Sequence, residues 1–141
     1  MNEAVPTVNQ SEKADSMKAP ERHRLPLTRN AIVHKFSLGG VEGYIIVGLY
    51  PDGRPGEMFL VISKEGSTLS GVMDAFATLT SIALQSDIPL EVLVRKFRHI
   101  RFEPCGVTRN REIPMASSII DYIFRWLELR FLSRKKQAEP T

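Results

Sequence analysis

The sequence predicts an α+β domain: a small antiparallel sheet of about three strands, followed by and packed against three helices. Two observations carry this reading. Residues 31–63 alternate in polarity or run β-branched between dense turn signals. Residues 67–132 space their apolar side chains three and four apart, the period of a helix. Strands that follow one another through tight turns pair antiparallel, so the first half reads as a meander.

The elements follow in order. In Ala31–Leu38, Ile32, His34, Phe36 and Leu38 share one face, with Val33, Lys35 and Ser37 opposite. Gly39-Gly40 signals a tight hairpin turn. Val41–Tyr50 is β-branched and aromatic, as strands are. Pro51-Asp52-Gly53-Arg54-Pro55-Gly56 is turn chemistry, and Glu57–Ser63 forms a third strand. A helix opens at Gly66-Ser67, capped by Ser67 or Thr68, and runs to Gln85. Its apolar face is Leu69, Val72, Met73, Phe76, Leu79 or Thr80, and Ala83. Pro89 opens a second helix, about 89–99, that buries Leu90, Leu93, Val94 and Phe97. A loop follows over 100–113. Pro114 then opens a last helix to about Leu132.

In that last helix Ser118, Asp121, Arg125 and Glu128 fall in one narrow polar stripe, and the remainder is apolar. The apolar arc spans roughly 220°, where one face of a core needs about 100°. Either the helix is buried on two sides within its own domain, or another chain covers part of it. The second reading makes Tyr122, Trp126, Leu129 and Phe131 candidate partner-docking residues.

The folded unit is expected over residues 22–132. Residues 1–21 read as a disordered tail, because the first twenty hold no Leu, Ile or aromatic and cannot offset their ordering entropy. The polar stretch 133–141 reads as a flexible tail. The N-terminus has no basic and apolar signal-peptide regions, and no run reaches the ~20 apolar residues of a membrane span. No membrane partner and a cytoplasmic location are expected. The 141 residues carry a formal charge of +3, which permits an anionic partner without demanding one. A single cysteine, Cys105, excludes an internal disulfide and dithiol redox chemistry within one chain.

Candidate chemistry is sparse. His23, His34 and His99 are the only histidines. His99, Glu103 and Cys105 lie close in sequence, yet a metal site needs three or four convergent ligands, and none is expected. Arg101 and Arg109 flank Cys105 and favour a thiolate, but no Cys/His signature surrounds it, so no catalytic residue is assigned. Lys64, Gly66, Ser67 and Thr68 form a strand-to-helix junction, a candidate anion site weighed against ordinary capping. Basic residues cluster at Arg22/His23/Arg24/Arg29, at Arg95/Lys96/Arg98/His99/Arg101, and at Arg109/Arg111. Long loops in compact domains are often functional, so Arg101, Glu103, Arg109 and Arg111 are candidate loop contacts.

Certain strings are more specific: His34-Lys35-Phe36, Gly43-Tyr44, Pro55-Gly56-Glu57, Lys64-Glu65-Gly66-Ser67, Arg101-Phe102-Glu103-Pro104 and Asp121-Tyr122-Ile123-Phe124-Arg125. With them the chain resembles the TSCPD domain, found near the C-terminus of adenosylcobalamin-dependent (class II) ribonucleotide reductases. The literal Thr-Ser-Cys-Pro-Asp string is absent, Cys105 stands where the family carries a small residue such as Ser, and Arg109–Arg111 is more basic than usual. In that family the radical chemistry and the adenosylcobalamin belong to a large barrel with several cysteines. The resemblance therefore implies no cofactor bound by this chain alone. It implies an accessory or regulatory module linked to deoxyribonucleotide synthesis, not catalytic by itself. The implied partner is a reductase large chain or a second copy. The alternative is a nucleotide- or nucleic-acid-binding regulator detached from the enzyme.

Overall fold

The computed structural model describes residues 21–63 and 66–132. The expected tails, 1–21 and 133–141, fall outside that range except for Glu21. The architecture is α+β, a three-stranded antiparallel sheet followed by three helices, with an added two-stranded ribbon. The strands are β1 (Ala31–Leu38), β2 (Val41–Leu49) and β3 (Pro55–Ser63), in the order β1-β2-β3. The register places Leu38 opposite Val41, so Gly39-Gly40 is a two-residue hairpin loop. Both glycines take positive φ, 54° and 87°, as the strand-matched turn requires. Gly39 has a second reason to lack a side chain: a Cβ there would sit 2.5 Å from the Cys105 carbonyl oxygen.

The alternation sorts the two sheet faces. Phe36, Leu38, Ile45, Val47, Met58 and Leu60 point inward to the core. Outward, Val33, Ile46 and Phe59 align across the three strands, and Lys35, Tyr44 and Val61 form the next row. This outer face stays open, with Val33 62%, Phe59 52% and Val61 50% exposed.

Helix α1 (Ser67–Gln85) lies along the free edge of β3. Ser81 Oγ accepts from Met58 N–H at 2.8 Å, and Gln85 Nε2 donates to the Gly56 carbonyl at 2.9 Å. These side chains satisfy strand-edge groups that would otherwise be unpaired. The expected apolar face is corrected here. The buried residues are Met73, Ala77, Thr80, Ser81 and Gln85, whereas Val72 and Leu79 are exposed. Leu69 and Phe76 still pack on the core as expected, but backing onto a strand edge needs small and polar residues at close approach, so Ala77, Thr80 and Ser81 face the sheet where Val72 and Leu79 turn outward. Its N-cap is Gly66, not Ser67 or Thr68. Helix α2 (Leu90–Phe97) is shorter than expected, with Pro89 as its N-cap. Phe76, Phe97 and Phe124 join the helices through ring contacts at 5.3–5.9 Å.

Two expectations about the last third are corrected. The stretch 100–113 is not a free loop: β4 (Gly106–Val107) pairs with β5 (Met115–Ala116), and Thr108 bridges to Leu38. The last helix does not begin at Pro114. It is α3 (Ile119–Leu127), with Ser118 as N-cap, continued by a π-helical turn over Glu128–Leu132. Ser118 Oγ accepts from Asp121 N–H at 3.0 Å and donates to the Ile100 carbonyl at 2.6 Å.

Candidate binding groove

A groove of about 970 Å³ opens beside the outer edge of β1, facing residues 109–112. Its walls are His34, Lys35, Phe36 and Ser37 of β1 and the segment Arg109–Glu112. Its floor includes Tyr122, Trp126 and Leu129 of the last helix. The Leu38–Thr108 bridge ends the pairing, and the chain then turns away from β1, which leaves the space.

At its base lies a hydrogen-bonded chain. Asn110 Nδ2 donates to Tyr122 Oη at 3.1 Å, so the phenol proton is free for His34 Nε2, 2.8 Å away. The His34 ring stacks on Trp126 at 4.7 Å and 18°. Burial lowers the His34 pKa, which favours the neutral ring that accepts this proton. Burial likewise raises the Tyr122 pKa, against the opposing pull of the Asn110 hydrogen bond. The imidazole is thus held between a phenol and an indole in the wall of the groove.

The rim is cationic. Lys35, Arg109, Arg111 and Arg130 surround the groove, against Glu42 and Glu112. Among the described residues none of these four cations has an ion pair or a side-chain hydrogen bond. Several basic side chains elsewhere are engaged: Arg29 grips Glu57 through two bonds of 2.6 and 2.7 Å, Arg22 holds Gln85 at 2.7 Å, and Arg98 pairs with Glu128 at 2.9 Å, whereas Arg24, Arg95, Lys96 and Arg101 are exposed and do not gather at this groove.

The sequence-level candidates divide accordingly. Arg109 and Arg111 meet at the groove; Arg101 and Glu103 are exposed but do not line it. Tyr122 and Trp126 reach the surface only at the floor of the groove. They are 1% and 7% exposed, covered by the domain's own sheet, because the helix is buried on two sides. Leu129 and Phe131 remain half-buried. Of the anion-site candidates, Lys64 and the Ser67 side chain lie outside the described residues, while Gly66 and Thr68 are exposed. Cys105 is a free, half-buried thiol. Among the described residues no group of three His, Cys, Asp or Glu is placed to hold a metal, and no helix is long and apolar enough to cross a membrane.

The polar stripe of the last helix is corrected too. Asp121 is fully buried, not solvated. Its carboxylate accepts from the backbone N–H of His99 at 2.5 Å and of Ser117 at 2.8 Å, with Arg125 Nη1 at 3.4 Å. It pins the β5–α3 junction and the end of α2 together. Sequence reading missed Asn110, Lys35 and Arg130 as groove residues. Only the fold brings β1, the 109–112 segment and the helix end side by side.

The fold is that of a small α+β domain with a cation-rimmed groove beside one sheet edge. The chain belongs to the TSCPD domain family, whose model matches residues 17–131. It is 60% identical over 114 residues to a vitamin B12-dependent ribonucleotide reductase of Rhodopirellula baltica, which is 81% of this chain and 11% of that protein. It is 52% identical over 113 residues to one of Streptantibioticus cattleyicolor, 80% of this chain and 19% of the relative. It is 40% identical over 119 residues to one of Agrobacterium fabrum, 84% of this chain and 9% of the relative. The chain thus spans less than a fifth of the length of these curated relatives. No solved structure matches it.

Proposed function

We propose that this domain is a non-catalytic accessory module of vitamin B12-dependent ribonucleotide reduction that docks on a reductase polypeptide in the cytoplasm. One observation carries the docking: the outer sheet face. Val33, Ile46 and Phe59, with Tyr44 and Val61 beside them, form an apolar surface that nothing in the described structure covers. A contiguous apolar face of this kind marks an interaction site more often than chance exposure. The family match supports the reductase as the partner, since the matched region is a minor part of each relative. Adenosylcobalamin would sit on the reductase chain, not here. The cations of the groove support a second reading, nucleotide or nucleic-acid binding.

The test is co-elution with the host's vitamin B12-dependent reductase on size exclusion, at low and moderate salt. A complex that survives moderate salt, and is lost in Phe59→Ser and Val61→Ser variants that still fold, is expected. Both positions face outward, so their removal leaves the core intact. Elution of the wild-type chain alone at both salts overturns docking. Binding of a nucleotide or oligonucleotide that weakens steeply with salt supports the second reading.

A further inference from the structure

We propose that the open edge of β1 takes an extended acidic peptide segment as a fourth strand, seated in the cationic groove. The backbone register identifies the acceptor groups. Leu49 N–H donates to the Asn30 carbonyl, and Ala31 lies opposite Gly48, so the even-numbered residues of β1 bond to β2. Ala31, Val33 and Lys35 therefore direct their N–H and C=O groups away from the sheet. Among the described residues, no backbone group pairs with them. The contrast with β3 is direct, since its outer edge is closed by Ser81 and Gln85 of α1. At the far end of β1 the same edge already accepts pairing, through Thr108 opposite Leu38 and Gly39 N–H to the Val107 carbonyl at 3.1 Å. A guest strand would continue that line past Arg109.

Charge selects the guest. Lys35, Arg109, Arg111 and Arg130 rim the groove against two carboxylates, Glu42 and Glu112. A second copy paired edge to edge would bring two Lys35 side chains and two arginine loops together, an arrangement that lysine on an edge strand opposes. Nucleic acid could use the cations, but its phosphates only accept hydrogen bonds. The open edge offers carbonyls as well as N–H groups in alternation, which a peptide backbone matches. This deepens the docking reading and borrows from it only the identity of the polypeptide that carries the segment. The groove itself can be tested without a reductase.

The probe is a capped ten-residue peptide alternating Val and Glu, compared with its Val and Lys counterpart, titrated into the full ¹⁵N-labelled chain. Expected is binding of the acidic peptide with slowed hydrogen exchange at the Val33 and Lys35 amides, and affinity for the basic peptide lower by about tenfold or more. Val33→Pro removes an outward N–H without breaking the ladder to β2, and weakens binding about fivefold. The double variant Arg109→Glu with Arg111→Glu, which touches only exposed side chains, reverses the preference between the two peptides. Several results overturn the proposal: no binding of the acidic peptide at millimolar concentration, binding indifferent to both variants, dimerisation through β1, or an oligonucleotide competing at the same residues more tightly than the peptide. A chain that co-elutes with reductase yet fails this test keeps the docking reading and loses the groove. A chain that binds the peptide but not the reductase does the reverse.

Discussion

Replacing Asp121 by Ala separates the two descriptions of the last helix. As part of a solvated polar stripe, Asp121 would be worth less than about 0.5 kcal/mol. In the structure its side chain is wholly buried and receives the N–H groups of His99 and Ser117 at 2.5 and 2.8 Å. Alanine leaves both donors without an acceptor, at about 1–3 kcal/mol each. His99 lies at the surface, so water can reach part of that site, and the expected total is about 3 kcal/mol. In a folded unit of about 110 residues each kcal/mol moves the midpoint by about 4 °C, so the melting temperature falls by about 12 °C. Thermal and urea denaturation followed by circular dichroism measure this. Asp121→Asn keeps the volume and one acceptor but sets an amide N–H against a backbone N–H, and falls between wild type and alanine. Glu128→Ala is the control, because the half-exposed pair with Arg98 is worth at most about 1 kcal/mol. A loss below about 0.5 kcal/mol for Asp121→Ala would refute the buried-acceptor argument.

Three further outcomes follow from the same geometry. Ser81→Ala leaves the Met58 N–H at the β3 edge without its acceptor; a loss of about 1–2 kcal/mol in urea unfolding is expected, and an unchanged midpoint would mean that α1 does not seal that edge. For His34, burial depresses the folded-state pKa below the unfolded value. Its contribution to stability is therefore fully present above the unfolded pKa near 6.5 and is lost as pH falls through the folded pKa. Unfolding midpoints measured from pH 7.5 down to pH 5 should decline in the wild type, and His34→Asn should flatten part of that slope; equal slopes would show that His34 is not the group responsible. Ser118→Ala removes the cap on Asp121 N–H and the bond to Ile100; about 1–2 kcal/mol of stability should go with it, and a smaller loss would place the start of α3 elsewhere.

Local patterns determined much of this protein. Alternation in Ala31–Leu38, the Gly39-Gly40 pair and the β-branched run from Val41 determined three strands, their antiparallel order and the inward set Phe36, Leu38, Ile45 and Val47. Strand period and turn chemistry act over a few residues, so they are legible in one dimension. The family strings were equally local. What lay beyond the sequence depends on contacts between residues far apart. Asp121 has the spacing of a surface residue, and only the approach of His99 and Ser117 makes it a buried acceptor. Val72 and Leu79 have the spacing of core residues, and only the seating of α1 on a strand edge turns them to solvent. Trp126 and Tyr122 have the excess apolarity of a docking face, and the sheet covers them first. The groove is the extreme case: Lys35, Arg109 and Arg130 are separated by most of the domain's length, and it takes both the Leu38–Thr108 bridge, which sets the Arg109 segment beside β1, and the packed last helix, whose final turn carries Arg130, to gather them around one free edge.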